Sequence, residues 1–287
     1  MLELGGIDPQ GIEVLLCDAD GNLFPSEEPA FVASARVTNR LLASFGVTRR
    51  FTPEELRTTT TGRNFRTTAV DLAVACRIPL DPALARTRTT ARLPIAAAAD
   101  RELTEAELER WVHAEKEEVT AHLRETLLPD REVSAPLRLL ARRYGLTAVS
   151  SSAASRLDAC FSATGLAELF PADLRFSAED SLPQPTSKPD PAVYLLAAAR
   201  LEIEPDLGLA IEDSAPGAQS SVAAGFPTIG NLQFVPPEER PARAHALALA
   251  GVSGVVSSWR ELAQLLPRAP PPRQPPSSSR GPQFGAS

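Results

Sequence analysis

The second half of the chain alternates short apolar segments with segments that have the features of helices. Apolar runs occur at 146–149, 175–177, 209–211, 228–230 and 254–256, and an earlier one occurs at 13–17. Helix-like stretches occur at 136–144, 155–165, 191–201, 215–224 and 259–266. Because strands that alternate with helices form parallel sheets, we expect an α/β fold with a doubly wound parallel sheet and right-handed crossovers.

Residues 26–127 differ from this pattern, because we find no convincing strand among them. Apolar residues recur at helical spacing from Phe31 to Phe45. Thr52 and Thr104 each precede a Glu by three residues, which is the capping-box signature of a helix start. We therefore predict an all-helical insertion at 26–127 in a core made of residues 1–25 and 128–267. The Pro- and Ser-rich stretch 268–287 is expected to be a disordered tail.

Composition excludes several classes of function. The net charge of -7 and the pI near 5.2 provide no basic surface for nucleic acid. No stretch approaches the ~20 consecutive apolar residues that span a bilayer, and the N-terminal residues lack the features of a signal peptide. The three cysteines have no metal-like spacing. We expect a soluble, cytoplasmic protein that binds neither nucleic acid nor membrane and is a monomer or weak homodimer.

Two carboxylates follow the first apolar segment directly, in the run Asp18-Ala19-Asp20-Gly21. Like charges this close repel each other in a purely structural role. They become favourable beside a divalent cation, and their hard oxygen atoms suit magnesium. Gly21 permits the chain to turn sharply after them. The alternative is a solvated, Asp-rich turn without function.

Further polar residues follow later strands or precede helices. Ser150 directly follows the predicted strand at 146–149, although a Ser-rich turn there is also an ordinary feature. Lys188, one of only two lysines in the chain, lies just before two prolines that fix the backbone, although it also fits a surface position. Glu212 and Asp213 follow another predicted strand, where Asp213 is also suited to capping the next helix.

These motifs together resemble those of the haloacid dehalogenase superfamily. The run from Asp18 to Phe24 is similar to the first motif of that family, and the Ser, the Lys and the acidic pair follow in the family's order. The gaps between Asp18, Ser150, Lys188 and Asp213 are 132, 38 and 25 residues. The resemblance covers roughly residues 10–267 and is greatest for phosphatases and relatives of β-phosphoglucomutase. It implies a Rossmann-like core.

The resemblance also implies a role for each motif residue. Asp18 would be the nucleophile and a magnesium ligand. Asp20 would be the general acid and base and a further ligand. Ser150 would hold the phosphate. The backbone amides of Ser151 and Gly21 would be further donors to the phosphate, and Lys188 would be the catalytic cation. Asp213 would be a magnesium ligand, and Glu212 would be another, either directly or through water.

The insertion resembles the small helical cap that closes over the site in β-phosphoglucomutase relatives. Residues 61–66 fall where such relatives place a Gly-containing substrate loop. Arg63 or Arg66 would then hold a second anionic group of the substrate, although each also fits an ordinary arginine on a helix surface.

The function implied is a magnesium-dependent phosphoric monoester hydrolase that acts on a small phosphorylated metabolite, such as a sugar phosphate, through an aspartyl-phosphate. A phosphomutase of the β-phosphoglucomutase type is the alternative, because it uses the same core. A relative that binds a partner without catalysis is a third reading, against which the complete set of catalytic residue types argues.

Overall fold

Six short strands form one parallel sheet in the structure, a computed structural model that describes residues 7–60, 64–86 and 101–266. The strands are β1 (Val14–Cys17), β2 (Gly145–Ser150), β3 (Arg175–Ser177), β4 (Gly208–Glu212), β5 (Thr228–Asn231) and β6 (Gly254–Val256). Their order across the sheet is β3-β2-β1-β4-β5-β6, and every neighbouring pair is parallel. This confirms the predicted α/β fold.

Helices separate the strands along the chain. In the second half they are α6 (Arg131–Leu140), α7 (Ala154–Thr164), α8 (Ala192–Leu201), α9 (Ala215–Ala223), α10 (Arg240–Leu249) and α11 (Trp259–Leu265). Two short 3-10 turns lie at Ala172–Leu174 and Pro205–Leu207. The insertion contains α1 (Glu27–Ser44), α2 (Pro53–Thr60), α3 (Phe65–Ala75), α4 (Pro82–Arg86) and α5 (Glu105–Thr126).

Strand β1 lies between β2 and β4, and this position determines where a ligand can bind. Cys17, its last residue, is in register with Ala148 of β2 and Ile211 of β4. The strand order reverses at β1, with β2 and β3 on one side and β4 to β6 on the other. In such sheets a crevice forms beyond the carboxyl ends of the strands at the reversal. The residues that follow β1, β2 and β4 therefore share one edge of the sheet.

The predicted strands all lie within two residues of the observed ones, but one predicted helix was wrong. The sequence placed that helix at 136–144, whereas α6 ends at Leu140 and begins at Arg131. The cause is Asp130, whose carboxylate accepts a hydrogen bond from the backbone amide of Glu132 at 2.8 Å and so caps the helix earlier. Pro136 is tolerated inside α6, where it is buried.

The described part of 26–127 contains helices and no strand, only an isolated bridge between Leu80 and Leu103. A hydrophobic cluster is built from residues between 35 and 108, separate from the clusters around the sheet. Thr52 and Glu55 form the predicted capping box, with amide-to-side-chain distances of 2.8 and 3.1 Å. The limits of the insertion stay a prediction.

Some predictions fall on other parts of the chain. Arg63 and the tail predicted at 268–287 lie outside the described residues. Among the described helices, none combines the length and the apolar character that crossing a bilayer requires.

Trp259 links α11 to the loop after β1, which allows a test of the packing. Its side chain is fully buried, and its indole N–H donates a hydrogen bond to the backbone carbonyl of Asn22 at 2.8 Å. We expect Trp259→Phe to lower the free energy of unfolding by about 1–3 kcal/mol in urea denaturation, because that buried carbonyl loses a donor. Trp111→Phe, within the insertion, should lower the free energy of unfolding by less. Equal losses in the two variants would contradict a stabilising role for the hydrogen bond from Trp259.

Candidate active site

Three carboxylates from two adjacent strands converge at the carboxyl edge of the sheet. Asp18 follows β1, Glu212 ends β4 and Asp213 follows it. One oxygen of each lies within 4.8 Å of the others, and all three residues are buried. The sequence predicted this convergence from the ends of neighbouring strands, and the structure brings the three residues together.

The ammonium group of Lys188 lies among these carboxylates. It is 2.5 Å from Asp18 Oδ1, 2.6 Å from Glu212 Oε1 and 2.8 Å from the carbonyl oxygen of Val149. Burial alone would lower the pKa of Lys188, but the two carboxylates outweigh it and raise the pKa above its ordinary value. The lysine therefore stays charged and holds its three acceptors in fixed positions.

The two oxygens of Glu212 have unequal environments. Oε1 accepts hydrogen bonds from Lys188 and from the hydroxyl of Tyr194 at 2.5 Å. Oε2 is buried and has no hydrogen-bond partner within the described residues. A Cβ atom added to Gly217 would lie 1.8 Å from Oε2, so the absence of a side chain at that position makes room for this oxygen.

Asp213 is buried in an acidic environment. Burial raises its pKa to about 8, Glu27 and Glu212 add to the rise, and Arg243 opposes it. Nη1 of Arg243 lies 2.9 Å from the carbonyl oxygen of Asp213 and 3.5 Å from Oδ2. The suggested capping role of Asp213 was wrong: Ser214 caps α9 by accepting a hydrogen bond from the amide of Gly217 at 3.2 Å.

The carboxylate cluster suits a divalent cation. Burial raises the pKa of Asp18 well above its usual range, and Lys188 only partly offsets this. The three acidic groups thus outnumber the ammonium group that contacts two of them, and one buried oxygen lacks a partner. Leaving such an oxygen unpaired costs about 1–3 kcal/mol or more. A hard cation that coordinates Asp18, Glu212 and Asp213 would satisfy both the charge and the lone pairs.

Asp20 does not join this cluster through its carboxylate. Oδ1 accepts hydrogen bonds from Ser26 and, at 2.9 Å, from Arg156, while Oδ2 accepts from Ser152 at 2.7 Å and Ser150 at 3.3 Å. Burial would raise the pKa of Asp20, but Arg156, Ser26 and Ser152 together lower it. The sequence predicted Asp20 as a metal ligand, whereas its carboxylate is occupied by these four donors.

The serines at the carboxyl end of β2 connect Asp20 with the segment that carries Lys188. Besides contacting Asp20, Ser150 Oγ accepts a hydrogen bond from the amide of Ser152 at 3.0 Å. Ser151 Oγ accepts from the amide of Lys188 at 3.0 Å. Ser150 therefore lies beside Asp20, and Ser151 fixes the segment that presents the lysine.

Asn22 joins the loop after β1 to its neighbours. Its side-chain amide donates hydrogen bonds to the carbonyl oxygens of Asp18 at 2.9 Å and Ile211 at 3.0 Å. Its side-chain oxygen accepts one from Asn231 at 2.8 Å. These bonds hold the ends of β1 and β4 together and keep their carboxylates adjacent.

Arg66, one of the two predicted substrate arginines, is not among these contacts. Arg66 lies on α3 and forms ion pairs with Glu105, at 3.2 Å, and Glu109, both on α5. These pairs fit the alternative reading of Arg66 as an arginine on the helix surface.

Comparison with known proteins identifies the family of this chain. A family model described as haloacid dehalogenase-like hydrolase matches residues 12–225. The chain belongs to this family. Among curated protein sequences, none matches.

Solved structures share the fold of this family member. A predicted phosphoglycolate phosphatase from Haemophilus somnus 129PT is 19% identical, with a TM-score of 0.63 over 89% of this chain and 98% of its own. CbbY from Rhodobacter sphaeroides, in complex with xylulose-1,5-bisphosphate, is 23% identical, with a TM-score of 0.57 and coverages of 88% and 96%. A candidate β-phosphoglucomutase from Thermotoga maritima is 22% identical, with a TM-score of 0.59 and coverages of 89% and 98%.

Sequence reasoning missed several residues that contact the site of this hydrolase. They are Ser26, Ser152 and Arg156 at Asp20, Tyr194 at Glu212, and Arg243 at Asp213. A serine just before a helix is typical of a helix cap, but the hydroxyl of Ser26 donates to Asp20 and makes no capping bond, so its position gave no signal of this contact. The others come from helices or turns that only the fold brings near.

A cavity of about 540 Å³ opens beside Asp213, between the insertion and the sheet edge. Its walls include Glu27 and Phe31 from α1, Arg57 from α2, and Arg243 from α10. A larger cavity of about 710 Å³ lies among residues such as Gly11, Pro205 and Gly225, and none of the predicted site residues lines it. Of these two cavities, only the one beside Asp213 is lined by predicted site residues, which are Gly21 and Asp213.

Substitution of Gly21 tests whether the carboxylate cluster binds a cation. Its φ is 79°, and a Cβ atom added there would lie 2.5 Å from Asp213 Oδ2. Gly46 has a φ of 78° with nothing within 4 Å of its added Cβ, so Gly46→Ala brings similar backbone strain without the clash. We expect magnesium chloride to raise the thermal midpoint of the wild type and of Gly46→Ala, but not of Gly21→Ala. A similar rise in all three would count against this site.

Proposed function

We propose that this chain is a magnesium-dependent phosphatase that hydrolyses a small phosphorylated metabolite through a phosphorylated Asp18. The observation that carries the proposal is the contact of Lys188 with Asp18 and Glu212, beside Asp213, at the carboxyl edge of the sheet. A buried carboxylate that attacks a phosphate ester needs positive charge around it, because the two anions repel each other.

The residues proposed to hold magnesium are Asp18, Glu212 and Asp213. A magnesium ion bound there supplies positive charge against the oxygens of the phosphate. Support comes from the hard oxygen donors, their separation within 4.8 Å and the unpartnered Oε2 of Glu212. Asp20 was also predicted as a ligand, but its four hydrogen-bond donors support a different role for its carboxylate.

In the first half of the reaction, a carboxylate oxygen of Asp18 attacks the phosphorus atom in line with the leaving oxygen. Oδ1 is held by Lys188, and Oδ2 has no hydrogen bond within the described residues. The bond between Asp18 and phosphorus forms as the ester P–O bond breaks. The leaving oxygen takes a proton from Asp20, so an alcohol departs.

In the second half, a water molecule attacks the phosphorus atom of the aspartyl-phosphate. Asp20 takes a proton from this water, which restores the proton that it gave to the leaving group. The bond between phosphorus and Asp18 breaks, inorganic phosphate departs, and the Asp18 carboxylate is regenerated. Ser150 and the backbone amide of Ser151 are proposed to hold the phosphate oxygens in both halves. The amide of Gly21, predicted as a further donor, instead donates to the carbonyl oxygen of Phe24 at 3.0 Å.

The cavity beside Asp213 is proposed to receive the organic part of the substrate. Its volume of about 540 Å³ suits a small metabolite such as a sugar phosphate. The solved relatives support this class of ligand, because the CbbY structure contains a sugar bisphosphate. Arg63 and Arg66 stay predictions as contacts for a second anionic group.

Replacement of the nucleophile tests the proposal directly. We expect Asp18→Asn to lower phosphate release by a factor on the order of 10³ or more, because an amide oxygen does not form the phosphoenzyme. Release is measured over a panel of sugar phosphates, nucleotides and phosphoglycolate, with and without magnesium. Asp158→Asn, an exposed carboxylate on α7 that pairs with Arg175, is the control and should resemble the wild type.

The other outcomes separate the alternatives. Activity that persists in Asp18→Asn would refute the assignment of the nucleophile, and activity unaffected by chelation would refute the role of magnesium. Conversion of glucose 1-phosphate to glucose 6-phosphate without phosphate release would favour the phosphomutase. Absence of both activities in the wild type would favour a protein that only binds its ligand.

A further inference from the structure

Arg156 is the only cationic side chain that hydrogen bonds to Asp20 within the described residues. It extends from the first turn of α7, and its Nη2 atom lies 2.9 Å from Asp20 Oδ1. Only 25% of its side chain is exposed, and the Asp20 side chain is 19% exposed. The other three donors to Asp20 are serine hydroxyls, and hydrogen bonds from charged donors are roughly twice as strong as neutral ones.

Arg156 differs from an arginine with a purely structural role in how few hydrogen bonds it makes. Its side chain has no hydrogen bond other than the one to Asp20 within the described residues, and its Nε atom is buried without a partner. Arg175, also near α7, is anchored at several points. It donates to the carbonyl oxygen of Phe170 at 2.8 Å and to Asp158 at 2.6 Å, and it stacks over Phe161 at 4.4 Å.

The two oxygens of Asp20 are therefore held in different ways. Oδ1 accepts from Arg156 and Ser26, whereas Oδ2 accepts from Ser152 and, in a longer bond of 3.3 Å, from Ser150. Ser150 is the residue proposed to hold the phosphate. When its hydroxyl turns to a phosphate oxygen, Oδ2 of Asp20 loses its weakest donor and lies next to the substrate.

We propose that Arg156 is a positioning residue that anchors Oδ1 of Asp20 so that Oδ2 exchanges a proton with the leaving oxygen. This inference rests on the proposed function, because it assigns Asp20 the proton transfer. Arg156 also lies near the insertion, because helices α5 and α7 pack together. Burial raises the pKa of Glu115 on α5, and the nearby charge of Arg156 partly opposes that rise.

The chemistry gives this role a specific signature. An alkoxide needs a proton to leave, whereas p-nitrophenolate is a stable anion and leaves without one. The constant kcat/KM reports the reaction only as far as departure of the leaving group, so it excludes the later hydrolysis of the phosphoenzyme. A misplaced Asp20 should therefore lower kcat/KM for an alkyl phosphate and leave that for p-nitrophenyl phosphate nearly unchanged.

The experiment compares Arg156→Met, Arg156→Lys, Asp20→Asn and Arg175→Met in the full chain. The probes are p-nitrophenyl phosphate and the alkyl phosphate that the wild type hydrolyses fastest in the panel above. We expect Arg156→Met to lower kcat/KM for the alkyl phosphate by about 10- to 100-fold and for p-nitrophenyl phosphate by less than about 3-fold. Asp20→Asn should show the same selectivity with a larger loss, and Arg156→Lys should recover part of the activity.

Each outcome bears on the inference. Equal losses on both probes in Arg156→Met, an increase on the alkyl phosphate, or no change would overturn it. A loss of kcat/KM confined to the alkyl phosphate in Arg175→Met would also overturn the inference, because removal of any buried arginine would then produce the same selectivity. Thermal melting checks folding, and if Arg156→Met does not fold, Arg156→Lys carries the test, with a smaller selective loss expected. If Asp20→Asn shows no selectivity, or the wild type hydrolyses nothing, it is the proposed function that fails.

Discussion

The contact of one buried ammonium group with two buried carboxylates is the interaction on which this site depends. Lys188 reaches Asp18, Glu212 and a carbonyl of β2, and so ties together the ends of three neighbouring strands. Removing one partner from such a group leaves an uncompensated charge in the interior, which is strongly unfavourable. The arrangement is therefore stable only as a whole, and it still leaves an excess of acidic groups. That excess of acidic groups suits the site to a divalent cation.

The fold was largely predictable because its signals are local. Each strand is a short apolar run, and parallel pairing then places Asp18, Ser150 and Asp213 at one edge whatever the details of the loops. The helix α6 was misplaced for a local reason as well, since the cap at Asp130 outweighs the usual preference of Pro136 for a first turn.

The residues around Asp20 were not predictable in the same way. Ser26, Ser152 and Arg156 come from three segments, and their convergence depends on how α1 and α7 leave the sheet. No spacing in the sequence records that geometry, because each residue is ordinary in its own segment. The carboxylate of Asp20 therefore lies among its own hydrogen-bond donors, apart from the carboxylate cluster. Its position two residues after Asp18 had indicated that it would join that cluster.

The hydrogen bond from Trp259 to the loop after β1 also bears on how the protein is made. Asn22 receives support from Asn231 and Trp259, which are separated from it by more than 200 positions. A nascent chain in which α11 is still inside the ribosome lacks the Trp259 partner, although its nucleophile and its lysine have already emerged. The site therefore reaches its final geometry only after α11 has left the ribosome and docked against the loop after β1.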